Sequence, residues 1–191
     1  MNLLSADSFV VDQPWTPVRL MLGSKYSVEA YDGHDVLLGS VGETRRGFVT
    51  ARLRNISLSR WTPFRLHAVG PDGRPLLVIT KSAGIGTRPT KVAWPDGRPV
   101  GSIVPQPGRY ALLDANGTHL CLLGDVLHLQ LGRIERRNGR RVRRDVVRIR
   151  PGTAEPVRSL AVAAAVAFDV VRGVGTNHLS SGDVIPDFLS S

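Results

Sequence analysis

The chain has 191 residues, one cysteine and a formal net charge of +9. A single cysteine excludes an internal disulfide framework, and a hydrophobic fraction of 42% argues against wholesale disorder. The length suits one domain, and the excess of basic residues favours an anionic partner such as membrane, nucleic acid or an acidic protein.

The N-terminal segment predicts a cytoplasmic protein whose first strand lies near Phe9–Val11. Its opening residues, MNLLSADSF, have neither the basic region nor the long apolar region of a secretory signal. The lone cysteine, Cys121, also fits a reducing compartment. We therefore expect a cytoplasmic location, with any membrane contact made peripherally at the inner face.

Five Asp-Gly or Asn-Gly dipeptides follow, each between apolar runs. Such dipeptides tolerate the positive φ angles of type I′ turns, and five of them predict a meander of antiparallel hairpins. The dipeptides are Asp32-Gly33, Asp72-Gly73, Asp96-Gly97, Asn116-Gly117 and Asn138-Gly139.

The runs that flank these turns predict about twelve strands. Within one of them, the apolar run Leu76–Ile79 does not alternate, so we expect both of its faces to be buried. A further strand is expected within residues 47–55. The predicted pairs are Lys25–Tyr31 with His34–Val41, Phe64–Val69 with Pro75–Thr80, Thr90–Trp94 with Pro99–Val104, Tyr110–Leu113 with Thr118–Leu123, and Val126–Arg136 with Arg140–Ile149.

The last regular element is predicted to be a helix over about 156–172. Leu160–Phe168 contains no polar side chain and is rich in alanine, the best helix former. Pro156 suits the first turn, and Gly173 is a natural stop. An all-apolar helix must be buried, and this one is too short to span a bilayer. The central residues are Leu160, Val162, Ala163, Ala164, Val166, Ala167, Phe168 and Asp169.

These elements together predict a closed antiparallel barrel of about twelve strands around the C-terminal helix. Closure removes exposed strand edges, and the barrel interior buries the helix. Residues 1–173 then form one domain, with 174–191 as a loosely attached tail. A charge at Asp169 is costly when buried, so we expect a structural carboxylate paired with Arg172 or another arginine.

The sequence resembles the tubby-like superfamily, in its phospholipid scramblase and LURP-one-related branch. The resemblance runs through residues 9–172, by way of FVVDQ, KYSVEAYDGHDVLLGSVGE, FRLHAVGPDGRPLLVIT, KVAWPDGRPVGSIV and LAVAAAVAFDVV. Family members have a twelve-stranded barrel around a central hydrophobic helix. Some bind phosphoinositides, and scramblases are implicated in moving phospholipids between leaflets.

The chain departs from the scramblase pattern before the helix. The segment RIRPGTAEP offers no carboxylate cluster for calcium, which takes about six to eight oxygen ligands. There is also no cysteine cluster for palmitoylation, no N-terminal myristoylation pattern and no proline-rich N-terminal arm. Calcium-activated scrambling therefore does not carry over from the resemblance.

The most basic segment is 133–150, RIERRNGRRVRRDVVRIR, which holds nine arginines and two acids. Alternate side chains of a strand share a face, so several guanidinium groups should project together. They could contact anionic lipid or a nucleic-acid backbone, or form a solvated edge protected by charge. The candidate lipid-binding residues are Arg133, Arg136, Arg137, Arg140, Arg141, Arg143, Arg144 and Arg148.

Signals for catalysis are weak. His119 and Cys121 share a strand face, but their spacing matches no nucleophile signature. The remaining histidines lack metal-ligand spacing, and the Gly84-Ile85-Gly86 segment has no P-loop lysine. We therefore expect no catalytic residues, no metal and no cofactor.

The sequence thus predicts a non-enzymatic tubby-like module that binds an anionic phospholipid membrane peripherally. The alternative is a soluble scaffold or small-ligand carrier without membrane affinity, with a protein partner still to be identified. Nucleic acid is the least favoured partner, because no aromatic residues interleave with the arginines.

Overall fold

The computed structural model describes residues 2–14, 26–43, 63–82 and 88–172. Within these ranges it contains twelve strands, two 3-10 turns and two helices. The strands are β1 (Ser8–Pro14), β2 (Ser27–Tyr31), β3 (Leu37–Glu43), β4 (Phe64–Val69), β5 (Pro75–Lys81), β6 (Thr90–Ala93), β7 (Pro99–Gln106), β8 (Arg109–Asp114), β9 (His119–Leu122), β10 (Leu127–Gln130), β11 (Ile134–Arg137) and β12 (Arg140–Ile149). The 3-10 turns are η1 (Leu3–Ser5) and η2 (Leu123–Asp125), and the helices are α1 (Val157–Val166) and α2 (Phe168–Arg172).

All twelve strands belong to one antiparallel sheet. Its order is β10-β12-β1-β2-β3-β4-β5-β6-β7-β8-β9, and β11 pairs with β12 beside β10. The predicted meander is confirmed from β1 to β9. The predicted closure of the sheet into a barrel is not confirmed. Among the described residues no strand pairing joins β9 to β10, so the sheet is not closed.

Four of the five predicted turns are not type I′, and three of these four share one geometry. In the β4–β5, β6–β7 and β8–β9 hairpins the loop has three residues and ends in a glycine with positive φ, at Gly73, Gly97 and Gly117. Each carries a one-residue register shift beside the turn. This is the geometry of a type I turn followed by a glycine bulge. The expected type I′ geometry occurs at Asn138-Gly139, where φ is 48° and 75°.

The β2–β3 connection is longer than predicted. Tyr31 pairs with Leu37, and the Asp32 carboxylate accepts hydrogen bonds from the backbone N–H groups of His34 and Val36. The residue with positive φ is Asp35, at 62°, rather than Gly33. Aspartate and asparagine tolerate this region better than most residues.

The predicted strand Val126–Arg136 is divided into β10 and β11, and both pair with β12. The break lies at Gly132, whose N–H donates to the Asp145 carboxylate at 3.0 Å. A Cβ atom at Gly132 would lie 1.3 Å from the carbonyl oxygen of Arg144. Only glycine allows the two backbones to approach this closely.

The C-terminal helix is buried inside protein, as predicted. Every residue from Ser159 to Val171 is at most 5% exposed, including Leu160, Val162, Ala163, Ala164, Val166, Ala167, Phe168 and Asp169. Ala167 divides the predicted single helix into α1 and α2. Among the described residues no helix is long and apolar enough to cross a membrane.

The sheet curls around this helix. α1 contacts β7 and β8 and also β10 and β12, although six strands lie between β12 and β7 in sheet order. In a flat sheet, strands seven steps apart would be about 34 Å from each other. A helix is only about 10 Å wide, so both parts of the sheet reach it only if the sheet curls.

Polar contacts fix both ends of α1. At its start, the Glu155 carboxylate accepts hydrogen bonds from the hydroxyl and the N–H of Ser159. Arg158 connects this end to η1 by donating to the carbonyl of Leu4 and to Asp7. At its last turn, the Tyr26 hydroxyl donates to the carbonyl of Val166 at 2.7 Å. Groups that helix termini leave without intrahelical partners are thereby satisfied.

One strand differs from its predicted burial. Leu77 and Ile79 are buried, whereas Leu76 and Val78 are only half-buried on the outer face. The interpretation of Leu76–Ile79 as buried on both faces was wrong, because the described residues leave the side chains on the outer face of β5 partly exposed. The predicted strand in 47–55, Gly84–Gly86, Gly173 and the tail 174–191 lie outside the described residues.

Candidate anion-binding surface

The basic segment forms the hairpin β11–β12, which closes through the Asn138-Gly139 turn. Ile134 pairs with Arg143, Arg136 with Arg141, and Arg137 with Arg140. Because side chains alternate along a strand, this register places Arg136, Arg141 and Arg143 on one face and Arg137, Arg140 and Arg144 on the other. The arginines therefore do not make a single patch.

Arg143 points into the core and joins a buried ion-pair cluster. Its guanidinium donates to Asp145 at 2.7 Å, to Asp169 at 3.1 Å and to the Gln13 side-chain oxygen at 2.9 Å. All four residues are buried. The structure corrects the assignment of Arg143 to a lipid-binding surface, because its guanidinium is committed to these internal partners. The expectation that Asp169 pairs with an arginine is confirmed.

Burial and the neighbouring charges shift the pKa values of Asp169 and Arg143 in opposite directions. Burial raises the pKa of Asp169 above its ordinary 3.8, and Arg143 only partly offsets this. Burial alone would lower the pKa of Arg143, but Asp169 and Asp145 raise it on balance. Arg143 therefore stays charged, and the cluster connects β12 to the end of the helix through charged hydrogen bonds.

A second cluster lies on the outer face of the sheet. Arg137 donates to the Asp12 carboxylate at 2.8 Å, and its guanidinium carbon lies 4.1 Å from the ring centre of Tyr31. Arg144 lies 3.1 Å from the other oxygen of Asp12, although the pair is not aligned as a hydrogen bond. Both arginines also contact one oxygen of Asp35, at 3.2 Å for Arg137 and 2.8 Å for Arg144.

These contacts show that the hairpin folds over the outer face of β1 and β2. The register directs Asp12 and Val142 outward, yet they are only 3% and 7% exposed. The side chains of Arg137 and Arg144 cover Asp12. Burial raises the pKa of Asp12, although Arg144 and Arg137 lower it in part. The hydrogen bond from Arg144 lowers the pKa of Asp35.

The Tyr31 ring packs against the Arg137 guanidinium, and its hydroxyl is hydrogen-bonded to a carboxylate. Its hydroxyl donates to Glu29 at 2.6 Å. Burial and this hydrogen bond raise the pKa of Tyr31 to about 12. The neutral ring presents its face to the Arg137 guanidinium, a favourable cation–π arrangement.

The remaining predicted arginines are exposed, but they are not all together. Arg133, Arg136, Arg140 and Arg141 lie on the hairpin around its turn. Arg148 lies near the other end of β12, opposite Ser8 and His128. Within the part of the chain that the structure describes, neither Arg136 nor Arg140 forms an ion pair with a carboxylate.

The pair His119 and Cys121 gains no support as a nucleophilic site. His119 is exposed, and Cys121 is half-buried on β9. Burial and then the nearby Asp125 raise the pKa of the Cys121 thiol, which works against the reactive thiolate. Among the described residues no group of three His, Cys, Asp or Glu side chains is arranged to hold a metal ion.

Sequence reasoning missed the carboxylates that engage the arginines. Asp12 and Asp35 lie more than a hundred positions from Arg137 and Arg144 in the chain. One signal was present: Asp12 is the only acid among the residues that become β1, at a strand position that alternation directs away from the core. Its partner could not be found without the register.

Comparison with protein-family models, with curated proteins and with solved structures gives no match for this chain. The resemblance to the tubby-like superfamily therefore stays a prediction. The fold and the charge arrangement are the basis for assigning a function.

Proposed function

We propose that the protein is a non-enzymatic module that binds anionic membrane surfaces peripherally through the exposed arginines of the β11–β12 hairpin. The observation that carries this proposal is the direct cross-strand pairing of Arg136 with Arg141, both exposed, next to Arg137 with Arg140. Like charges directly opposite each other destabilise a strand pair. An anionic surface close to these side chains would relieve that repulsion.

The expected strength suits reversible contact. Each arginine near an anionic bilayer surface contributes about 1 kcal/mol. Arg133, Arg136 and Arg140 would together contribute about 3 kcal/mol, without insertion into the bilayer. A tubby-like fold, a cytoplasmic location and contact with the inner face of the membrane are parts of the same proposal. Calcium activation is not.

A soluble scaffold without membrane affinity is the second candidate. The observation in its favour is that Arg137, Arg143 and Arg144 are engaged with carboxylates of the same chain. Part of the basic charge of the hairpin is therefore structural. The two candidates differ in whether the remaining exposed arginines have an external anionic partner.

Vesicle co-sedimentation of the full chain distinguishes them. The variant is Arg136→Gln/Arg140→Gln, and the matched control is Arg65→Gln/Lys91→Gln, which removes the same charge from exposed positions on β4 and β6. Vesicles of phosphatidylcholine alone and of phosphatidylcholine with phosphatidylserine are compared. Loss of two arginines should weaken binding to the anionic vesicles about 30-fold, while the control keeps most of it.

Three outcomes contradict the proposal. Equal binding of the wild type to neutral and anionic vesicles would remove the electrostatic mechanism. Equal loss in both variants would assign binding to net charge rather than to the hairpin. Indifference to every vesicle would favour the scaffold, and a salt-sensitive gel shift with the same indifference would favour nucleic acid.

A further inference from the structure

The outer cluster presents two guanidinium groups to a single carboxylate oxygen. Arg144 Nη2 and Arg137 Nη1 lie 2.8 Å and 3.2 Å from Oδ1 of Asp35. The Asp35 side chain is 57% exposed, whereas those of the two arginines are 26% and 22% exposed. A surface carboxylate thus covers two partly buried donors that converge on one point.

Arg137 is held from beneath independently of Asp35, whereas Arg144 has an ion contact with Asp12 and donates its hydrogen bond to Asp35. Buried Asp12 contacts both of them, and the Tyr31 ring lies under Arg137. Removing Asp35 therefore leaves the Arg137 guanidinium oriented by Asp12 and Tyr31, and leaves Arg144 close to it through its ion contact with Asp12. Preorganised donors of this kind bind an anion at a lower cost in conformational entropy.

The local charge becomes less negative when Asp35 leaves this position. Arg140 pairs directly with Arg137 and shares its face, which adds a third positive charge. With Asp35 in place, three arginines stand against the carboxylates of Asp12, Glu29, Glu135 and Asp35, so displacement of Asp35 raises the local charge from −1 to 0. Guanidinium groups match phosphate oxygens well, and phosphate carries more charge and more acceptor oxygens than a carboxylate.

We propose that Arg137 and Arg144 form a binding site for a phosphate group, and that Asp35 occupies this site until a phosphate displaces it. The ligand class is a phosphate monoester, either free in solution or carried by a lipid headgroup. The two residues that would bind the phosphate, Arg137 and Arg144, are not among the exposed arginines of the membrane proposal, and the two proposals share only the nearby charge of Arg140. Asp35 acts as an internal competitor, since the apparent affinity falls with the fraction of time the site is open.

The test removes the competitor and measures phosphate binding by isothermal titration calorimetry of the full chain. Asp35→Gly suits the positive φ of 62° at this position. The matched control is Asp96→Gly, which removes an exposed carboxylate that pairs with one arginine only, Arg98. Asp35→Gly/Arg144→Gln removes one donor of the opened site. Inorganic phosphate is the soluble probe, and vesicles containing phosphatidic acid are the membrane probe.

Asp35→Gly should bind phosphate about tenfold more tightly than the wild type, which corresponds to Asp35 filling the site about nine-tenths of the time. The Arg144→Gln double variant should lose the gain, and Asp96→Gly should show none.

A gain with inorganic phosphate supports a soluble ligand, and a gain confined to the vesicles supports a lipid headgroup. An unchanged affinity for both probes, or an equal gain in Asp96→Gly, would overturn the proposal. Should Asp35→Gly fail to fold, Asp35→Asn, isosteric and tolerant of positive φ, carries the same comparison.

Discussion

Arg143 of β12 and Asp169 of α2 form an ion pair inside the protein, with Nη2 3.1 Å from Oδ2. Both side chains are buried, at 6% and 5% exposure. The pair connects β12, which is one strand of the basic hairpin, to α2 at the end of the internal helix. The orientation of the hairpin therefore depends on the same contacts that hold the helix within the sheet.

Loss of Arg143 should be strongly destabilising. Arg143→Met leaves the buried carboxylates of Asp145 and Asp169 without their cation, so the free energy of unfolding should fall by about 3–5 kcal/mol. The control is Arg98→Met, which breaks an exposed pair with Asp96 and should cost much less, because solvent screens such pairs. Urea denaturation measures both, and equal losses would show that the buried pair contributes no more than a surface one.

Asp169 should make stability depend on pH. Burial raises its pKa in the folded protein above the ordinary 3.8, so the folded state keeps a proton that the unfolded chain releases. The stabilising contribution of this protonation is complete below about 3.8 and is lost as pH rises through the folded pKa. Asp169→Asn has no titrating carboxyl at this position and therefore lacks this pH-dependent contribution to stability.

The free energy of unfolding of the wild type minus that of Asp169→Asn should therefore fall as pH rises above 4. Urea denaturation at a series of pH values measures this difference. A difference that stays constant, or that grows with pH, would mean that Asp169 is not a desolvated carboxylate.

A methyl group at Gly132 should disrupt the hairpin base. The added Cβ would overlap the Arg144 carbonyl, so Gly132→Ala must displace β12 and should cost about 3 kcal/mol. Gly33→Ala is the control, since its Cβ would have no atom within 4 Å and its φ is not positive. Thermal unfolding compares them, and a Gly132→Ala protein as stable as Gly33→Ala would contradict the close approach.

The buried hydroxyl of Tyr26 should stabilise the end of α1. Tyr26→Phe removes the donor to the Val166 carbonyl and leaves that carbonyl unsatisfied, at a cost of about 1–2 kcal/mol. Tyr31→Phe removes a hydroxyl that donates to exposed Glu29 and should cost less than about 0.5 kcal/mol. Denaturation midpoints of the two variants give the comparison, and equal shifts would count against a role for Tyr26 in closing the helix.

The parts of the fold that follow local rules could be predicted from the sequence. Asp-Gly and Asn-Gly dipeptides located the hairpins, and the alanine-rich run from Leu160 identified a helix that needs burial on all sides. The turn geometry could not be read from the dipeptides alone. Asp72-Gly73 and Asn138-Gly139 look alike in sequence, yet one forms a bulged three-residue loop and the other a two-residue turn.

The division of the arginines into internal and external groups could not be predicted. It depends on the register of β12 against β1 and on the fold of the hairpin over Asp12, which both involve contacts between residues distant in sequence. Composition gave the charge of the segment correctly. It could not reveal that Arg143 faces the core, because an arginine inside a sheet is stable only with partners such as Asp145 and Asp169.

The most direct test of the membrane proposal is to ask which part of the protein meets an anionic bilayer. Since Cys121 is the one cysteine, a Cys121→Ser background allows a single environment-sensitive fluorophore to be placed at Asn138→Cys, in the hairpin turn, or at Asn116→Cys, in the β8–β9 turn. Anionic vesicles should blue-shift the emission of the label at 138 and leave that at 116 unchanged, and neutral vesicles should affect neither. An equal response at the two positions, or no response at 138, would contradict binding through the basic hairpin.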